Sequence, residues 1–222
     1  MKRIGLFGGT FNPIHFGHFL TLQDVKAEFS LDSVFFIPCA IPPHKPLTMI
    51  AAAKDRLEMT RLTLAGYSGF EVSEIELARA GPSYTIETVL HFKNTLPKQT
   101  KLYLIMGIDA FMEIDSWKAF KNLFRVIPMI VMTRAGQVSE STDLQLRKIE
   151  NFLKNKVAKG YCFSTSKLHF THNQMQPVFI AKVKHVNISS TNIRTLIKSH
   201  GSVCNFVPAE VESFIKNRGL YL

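Results

Sequence analysis

Two histidines three residues apart, His15 and His18, follow the glycine pair Gly8-Gly9 near the start of the chain. The apolar run at residues 4–7 predicts a short buried strand before the glycines, and the apolar spacing after His18 predicts a helix that ends near Phe29. A strand, a glycine loop and a helix start together expose backbone N–H groups and the positive end of the helix dipole to an anion. Histidines at i and i+3 share one helical face. These residues therefore predict a nucleotide phosphate site at the first strand–helix junction.

A second polar group, Ser189, Ser190 and Arg194, stands where a short strand is predicted to give way to a helix. Two hydroxyls and free backbone N–H groups would lie at the start of that helix. Arg194 comes four residues after Ser190, so both side chains can face one ligand. A guanidinium donates two parallel hydrogen bonds and is a preferred phosphate clamp. The alternative is a plain helix cap beside a solvated arginine.

The string Gly-Gly-Thr-Phe-Asn-Pro followed by His-x-Gly-His resembles the signature of the nucleotidyltransferase superfamily, specifically that of bacterial nicotinate-nucleotide adenylyltransferases. The run Ile-Ser-Ser-Thr-x-Ile-Arg at residues 188–194 resembles the second nucleotide signature of the same family, which implies contacts to the β- and γ-phosphates of ATP. The residues that the resemblance implies for ATP are Gly8, Gly9, Thr10, Phe11, His15, His18, Ser189, Ser190 and Arg194.

The Pro-Pro-His-Lys loop at residues 42–45 is similar to a family loop near the reacting phosphates, although the same composition also suits an ordinary exposed loop. The resemblance implies that Lys45 is a point charge that stabilises the transition state. The catalytic set implied in this way consists of His15, His18, Lys45 and Arg194.

The second substrate is implied by a further set of residues. The Gly-Pro-Ser-Tyr-Thr turn resembles the family turn that receives a nicotinate carboxylate, largely through backbone N–H groups; Glu87 stands where the family has aspartate. Trp117 resembles the tryptophan that stacks on nicotinate, although a lone tryptophan is more often part of a core or an interface than a platform for a ligand. Asp109 would accept a hydrogen bond from a ribose hydroxyl, and residues 133–136 resemble a family Arg-Pro-Gly turn. The implied residues are Ser83, Tyr84, Thr85, Asp109, Trp117 and Arg134.

The elements that must position these residues alternate between strands and helices. This pattern predicts an α/β fold with a Rossmann-like, mainly parallel sheet flanked by helices. The predicted strands are 4–7, 33–39, 70–77, 101–108, 125–133 (with Pro128 at an edge or bulge), 178–183 and 186–189; the later helices are 51–64, 83–94 (capped by Ser83), 140–158, 190–199 and 208–216. Ligands bind beyond the carboxyl ends of such strands, where all the motifs fall. We expect a single nucleotidyltransferase domain, 1–222, with a C-terminal helical portion from about 190.

Composition narrows the class of protein. The 222 residues carry a net charge of +10, but the basic runs are short and lack interleaved aromatics, which disfavours nucleic-acid binding. No long apolar run predicts a membrane span, and the first strand leaves no room for a signal peptide. Three scattered cysteines are consistent with a reducing cytoplasm. His169 and His172 lack a third ligand nearby, so no protein-held metal site is predicted.

The predicted reaction is transfer of the AMP group of ATP to nicotinate mononucleotide, giving deamido-NAD and pyrophosphate in NAD biosynthesis. The attacking phosphate is ionised at neutral pH, so no general base is required. Mg²⁺ is expected on the ATP phosphates. Two alternatives stay open: an adenylyltransferase acting on nicotinamide mononucleotide or phosphopantetheine, and a non-catalytic nucleotide or nucleic-acid binding module. The sequence predicts no oligomeric state.

Overall fold

The computed structural model describes residues 1–43, 46–135, 142–184 and 186–222. Strands and helices alternate along most of this length. The strands are β1 (Arg3–Gly9), β2 (Ser33–Pro38), β3 (Phe70–Val72), β4 (Lys101–Gly107), β5 (Met129–Ala135), β6 (Cys162–Ser164), β7 (His169–Thr171) and β8 (Val178–Lys184). The α-helices are α1 (Phe16–Glu28), α2 (Ala53–Leu64), α3 (Thr85–Thr95), α4 (Ile108–Met112), α5 (Phe120–Val126), α6 (Thr142–Phe152), α7 (Ser190–Lys198) and α8 (Ala209–Asn217).

The chain divides into two compact units, each assembled from separate stretches of sequence. The first unit comprises residues 1–7, 25–32 and 84–185, and the second comprises residues 8–24, 33–83 and 186–222. The predicted C-terminal helical portion consists of α7 and α8, which both belong to the second unit. That the chain works as a single domain stays a prediction.

In the first unit six strands lie in the order β1-β4-β5-β8-β7-β6. The neighbours from β1 to β8 pair in parallel, whereas β7 runs antiparallel to both β8 and β6. Ile130 and Val131 in β5 are fully buried, as expected for a central parallel strand covered on both faces. The predicted α/β fold with a mainly parallel sheet is therefore confirmed.

The second unit contains a further parallel pair, β2 with β3, in which Val34 lies opposite Phe70. Helix α2 packs against β2 and β3 and also against α8. Phe36 and Met59 are fully buried in this core, where apolar surface removed from water supplies the main stabilisation. Gly66, with a left-handed φ of +82°, directly follows the C-cap residue Ala65 of α2.

Two predicted strands have different bounds. The strand expected over 70–77 ends at Val72, because the chain turns where the Glu74 carbonyl accepts the N–H groups of residues 77 and 78. The strand expected over 125–133 begins at Met129, because α5 continues to Val126 and Pro128 has no N–H to donate to a ladder. Pro128 therefore precedes the strand, and the predicted edge or bulge is wrong.

Two segments differ in kind from the prediction. The strand expected over 186–189 is absent, because the Ile188 N–H closes a tight turn on the Val186 carbonyl at 2.8 Å. The segment 159–176 has no predicted strands, yet it forms the short antiparallel hairpin of β6 and β7. In this hairpin the ring of His169 stacks on Phe179 with centroids 5.3 Å apart. The helix expected over 140–158 is α6, followed by a π-helical turn at Leu153–Val157; residues 140 and 141 lie outside the described residues.

Candidate active site

The loop after β1 is shaped by the ring of Phe11. This residue has a left-handed backbone, with φ of 47°. It is 3% exposed, and its ring packs against Phe36. A Cβ on Gly9 would lie 2.7 Å from that ring, so glycine gives the ring its space. Gly8 is exposed, and a Cβ there would meet no described atom closer than 4.0 Å. Gly8 therefore offers backbone to an approaching ligand, whereas Gly9 has a packing role.

His15 and His18 lie together at the start of α1. Their rings stack with centroids 3.7 Å apart and planes at 28°, which confirms that they share a face. The backbone N–H of His15 donates to Nδ1 of His18 at 3.3 Å, so a neutral His18 carries its proton on Nε2. A Cβ on Gly17 would lie only 3.0 Å from Nδ1 of His15. The glycine within His-x-Gly-His thus makes room for the stack.

His15 is held in its neutral form. Its side chain lies in the interior, with the residue 6% exposed, and burial lowers its pKa to about 4. Its Nδ1 is buried without a hydrogen-bond partner among the described residues. At neutral pH His15 therefore contributes an imidazole dipole and a stacking surface to the site, and no positive charge.

The start of α7 is joined to the loop before α1. Oγ of Ser189 accepts the N–H of Asn192 at 3.1 Å and caps the helix. Oγ of Ser190 donates to the Pro13 carbonyl at 2.8 Å, and Nη1 of Arg194 donates to the Asn12 carbonyl at 2.8 Å. Ser190 and Arg194 therefore face the same loop, as their spacing predicts. The amino ends of α1 and α7, both positive, meet at this loop.

Arg194 keeps donors for a ligand. Besides the bond to Asn12, its Nη2 donates to Oγ1 of Thr191 at 3.3 Å. These two bonds leave three of its five N–H donors without a partner among the described residues. Arg194 is half-buried and tied to the loop, and the helix cap that the alternative names is present at Ser189, so the choice between a phosphate clamp and a structural arginine stays a prediction.

Ser83 has a different environment from the one predicted. Its Oγ accepts the N–H of Ala40 at 2.9 Å, and its own N–H donates to the Ile41 carbonyl. The predicted cap of α3 by Ser83 is wrong, because the hydroxyl is bonded to the loop after β2 and the cap position is Tyr84. Lys45 lies outside the described residues, so its role stays a prediction.

The other residues predicted for the second substrate lie in the first unit. Tyr84 and Thr85 stand at the start of α3, and Asp109 is exposed in the first turn of α4. Trp117 is half-buried and follows a short 3₁₀ turn. Its backbone N–H donates to the Ile114 carbonyl. Arg134 has its backbone in β5, opposite residue 183 of β8.

Lys118 links two of these predicted positions. Its Nζ lies 2.8 Å from Oε1 of Glu87 and 4.2 Å from the centroid of the Tyr84 ring, and it directly follows Trp117 in the chain. Glu87, the residue at which the sequence departs from the family pattern, therefore has a cationic partner. The longer acid and the lysine form a pair that connects the start of α3 to the tryptophan segment.

Comparison with known proteins identifies the family. Residues 6–196 match the cytidylyltransferase-like family model. A protein of Desulfatibacillum aliphaticivorans named "Probable nicotinate-nucleotide adenylyltransferase" is 34% identical over 99% of this chain and 100% of its own length. One of the same name from Pelobacter propionicus is 38% identical over 99% of this chain and 98% of its own. The chain belongs to the nicotinate-nucleotide adenylyltransferase family.

Solved structures show the same fold. The nicotinic acid mononucleotide adenylyltransferase of Plasmodium falciparum complexed with NaAD superposes with a TM-score of 0.72 at 15% identity, covering 100% of this chain and 98% of that chain. The same enzyme complexed with APC gives a TM-score of 0.69. The Rossmann-like architecture expected for the family is thus present.

Among the described residues, no helix has the length and apolar character needed to span a membrane.

Two residues of this family member were missed by sequence reasoning. Arg56 is 1% exposed, and its position in α2 is in phase with the buried Met59, Thr60 and Thr63, which is the signal that could have identified it. Tyr221 near the chain end has a buried hydroxyl without a hydrogen-bond partner among the described residues, and burial raises its pKa. No periodicity marks Tyr221, because it follows the last helix.

Proposed function

We propose that this chain transfers the adenylyl group of ATP to nicotinate mononucleotide, the reaction after which its family is named. A phosphate oxygen of the mononucleotide attacks the α-phosphorus of ATP, and the bond from that phosphorus to the bridging oxygen of the β-phosphate breaks. Pyrophosphate leaves with the electron pair, and the product is deamido-NAD. The attacking oxygen is already ionised near neutral pH, so catalysis consists of alignment and charge stabilisation.

The observation that carries this proposal is the loop at residues 12–15 with the groups that surround it. Two helix amino ends meet there, Arg194 is bonded to its backbone at 2.8 Å, and the stacked histidines complete it. Such an arrangement combines dipoles, a permanent cation and hydrogen-bond donors at one place, which suits a polyphosphate.

The residues have different proposed roles. Arg194 uses its remaining N–H donors to hold the leaving pyrophosphate. His18 donates from Nε2–H to a phosphate oxygen, because its Nδ1 is occupied by the backbone of His15. His15 supports that orientation as a neutral ring. Gly8 and Thr10 bring backbone and hydroxyl to the α-phosphate, and Lys45 adds a point charge.

Ser189 and Ser190 act chiefly on the backbone in this proposal. The hydrogen of the Ser190 hydroxyl is donated to the Pro13 carbonyl, and the Ser189 hydroxyl caps α7. Both side chains thus orient the helix whose free N–H groups would meet the β- and γ-phosphates. Phe11 and Gly9 contribute through the shape of the loop backbone, because the Phe11 ring is buried.

The nicotinate mononucleotide is assigned to Tyr84, Thr85, Asp109, Trp117 and Arg134 of the first unit, with Ser83 as the preceding residue of the chain. Backbone N–H groups of Tyr84 and Thr85 would receive the carboxylate, Trp117 would stack on the pyridine ring, and Asp109 would accept from a ribose hydroxyl. Ser83 supports the turn through its bonds to residues 40 and 41, and Arg134 completes the set. The pair of Lys118 with Glu87 fixes the start of α3 relative to the tryptophan segment.

Mg²⁺ is proposed to enter with ATP. The described residues contain no group of three His, Cys, Asp or Glu side chains placed to hold a metal ion, and the phosphate loop is bordered by N–H donors and a cation. The ion is therefore expected on substrate oxygens and water, where it neutralises charge on the phosphates.

We also propose a cytoplasmic location, since Cys39, Cys162 and Cys204 are all unpaired.

Release of pyrophosphate from ATP tests the proposal. Purified protein is incubated with MgATP and, separately, nicotinate mononucleotide, nicotinamide mononucleotide, phosphopantetheine or no acceptor, and the product is identified by mass. Nicotinate mononucleotide should give the highest kcat/KM, with one pyrophosphate per deamido-NAD formed. Faster reaction with phosphopantetheine or the amide would replace the proposed substrate, and no turnover with any acceptor would favour a non-catalytic nucleotide binder.

A further inference from the structure

We propose that Arg56 is a positioning residue for ATP. Its buried guanidinium holds the backbones of two loops in place. This inference deepens the proposed function, because one of the loops carries Thr10, the residue assigned to the α-phosphate. The other is the loop that follows β2 and leads to Lys45.

The contacts of Arg56 reach three separate backbone carbonyls. Nη1 donates to the carbonyl of Thr10 at 2.7 Å, Nη2 to that of Ala40 at 3.1 Å, and Nε to that of Ala51 at 2.9 Å. Arg56 is 1% exposed, so the donor side of these bonds is shielded from water, which strengthens them relative to bonds at a surface. The planar fork of a guanidinium holds its acceptors at fixed angles, so the two loops are fixed relative to each other.

The charge of Arg56 has no acidic partner among the described residues. The adjacent carboxylate, Asp55, accepts instead from Nε and Nη2 of Arg218 at 3.2 and 3.0 Å. An apolar side chain of similar volume would fill the same space without the cost of burying a cation. Stability of α2 alone therefore does not explain an arginine at position 56, whereas fixing two carbonyls at once does.

The effect extends to other loop residues. The N–H of Ala40, whose carbonyl Arg56 binds, donates to Ser83, and the thiol of Cys39 lies 4.0 Å from Nη1. Burial raises the pKa of the Cys39 thiol, so this contact adds no negative charge at neutral pH.

The substitution Arg56→Lys tests this proposal, because lysine keeps the charge and loses the fork. Two matched variants control for other effects. Arg61→Lys makes the same change on the same helix at an exposed side chain that pairs with Glu74. Arg218→Met removes the ion pair with Asp55 and so weakens the attachment of α2 without a contact to either loop. Affinity for MgATP is measured without an acceptor, alongside kcat, both KM values and the melting temperature.

The expected result for Arg56→Lys is a loss of ATP affinity of about tenfold, because bound ATP must then order the loop backbone that the lost guanidinium hydrogen bonds no longer hold. The KM for ATP should rise in parallel, and the KM for nicotinate mononucleotide should stay within about twofold. Arg61→Lys should match the unaltered protein. Arg218→Met should lower the melting temperature and leave ATP affinity unchanged.

Three results would overturn the proposal: unchanged ATP affinity in Arg56→Lys, an equal loss in Arg218→Met, or failure of Arg56→Lys to fold while Arg218→Met folds. The last would make Arg56 a residue of fold stability alone. Because ATP binding is measured without an acceptor, a wrong assignment of the mononucleotide substrate would leave this result intact and would appear only in the product assay.

Discussion

Replacement of His15 by asparagine should remove a pH-dependent part of the stability of this protein. In the folded state burial lowers the pKa of His15 to about 4, whereas a histidine in the unfolded chain titrates at 6.5. Between these values the unfolded chain binds a proton that the folded protein does not, so acid favours unfolding. The contribution is fully present above pH 6.5 and is lost as the pH falls toward 4.

The size of the effect follows from the difference between the two pKa values. One pKa unit corresponds to about 1.36 kcal/mol, so the whole contribution is about 3 kcal/mol. About 2.5 kcal/mol of it should disappear between pH 7.5 and pH 4.5. The 6% exposure of His15 means that solvent screens little of this effect.

Urea unfolding of the unaltered protein and of His15→Asn at pH 7.5, 6.5, 5.5 and 4.5 measures this contribution. The difference between their free energies of unfolding should shrink by about 2.5 kcal/mol over that range, since all other groups titrate in both proteins. Phe11→Leu is the control: it loosens the packing against His18, whose ring lies 5.3 Å away, and keeps the titration. Parallel curves for the unaltered protein and His15→Asn would refute the buried, neutral assignment of His15.

Three further predictions concern the site. Gly9→Ala should lower the free energy of unfolding by about 1–3 kcal/mol, because the added methyl group clashes with the Phe11 ring. Gly8→Ala, the matched control, should lower it by less than about 0.5 kcal/mol. Equal losses in urea titrations of the two variants would contradict the packing role of Gly9. His18→Ala should lower kcat about 10²–10³-fold with an unchanged circular dichroism spectrum; near-normal pyrophosphate release would remove His18 from the mechanism. Trp117→Ala should weaken nicotinate mononucleotide binding by about 1–3 kcal/mol in calorimetry, and a loss confined to ATP would show the stacking assignment to be wrong.

Sequence reasoning succeeded where spacing along the chain decides geometry. His15 and His18 share a face because they are three residues apart, and Ser190 and Arg194 face one loop because they are four apart. The alternation of strands and helices likewise predicts the mainly parallel sheet. In each case the determining interaction is local or periodic, so it can be read from the sequence.

The residues that could not be predicted depend on contacts between distant segments. The phase of Arg56 in α2 indicates that it is buried, but its carbonyl partners at residues 10, 40 and 51 cannot be inferred from that phase. The position of Ser83 before a predicted helix indicates a helix cap, but its hydroxyl accepts a hydrogen bond from the N–H of Ala40 in the loop after β2. The hairpin of β6 and β7 has strands of only three residues each, too short for an alternating pattern to be recognised.

The bonds that join α7 to the loop before α1 also bear on how the protein is made. The bond from Ser190 to Pro13 spans 177 residues, and the bond from Arg194 to Asn12 spans 182. Closing so long a stretch of chain costs entropy that only the nearly complete fold can offset. A nascent or truncated chain that lacks residues 186–222 should therefore be unable to retain ATP. Nucleotide binding would then begin only after residues 186–222 have been added, and it would stabilise only chains that contain them.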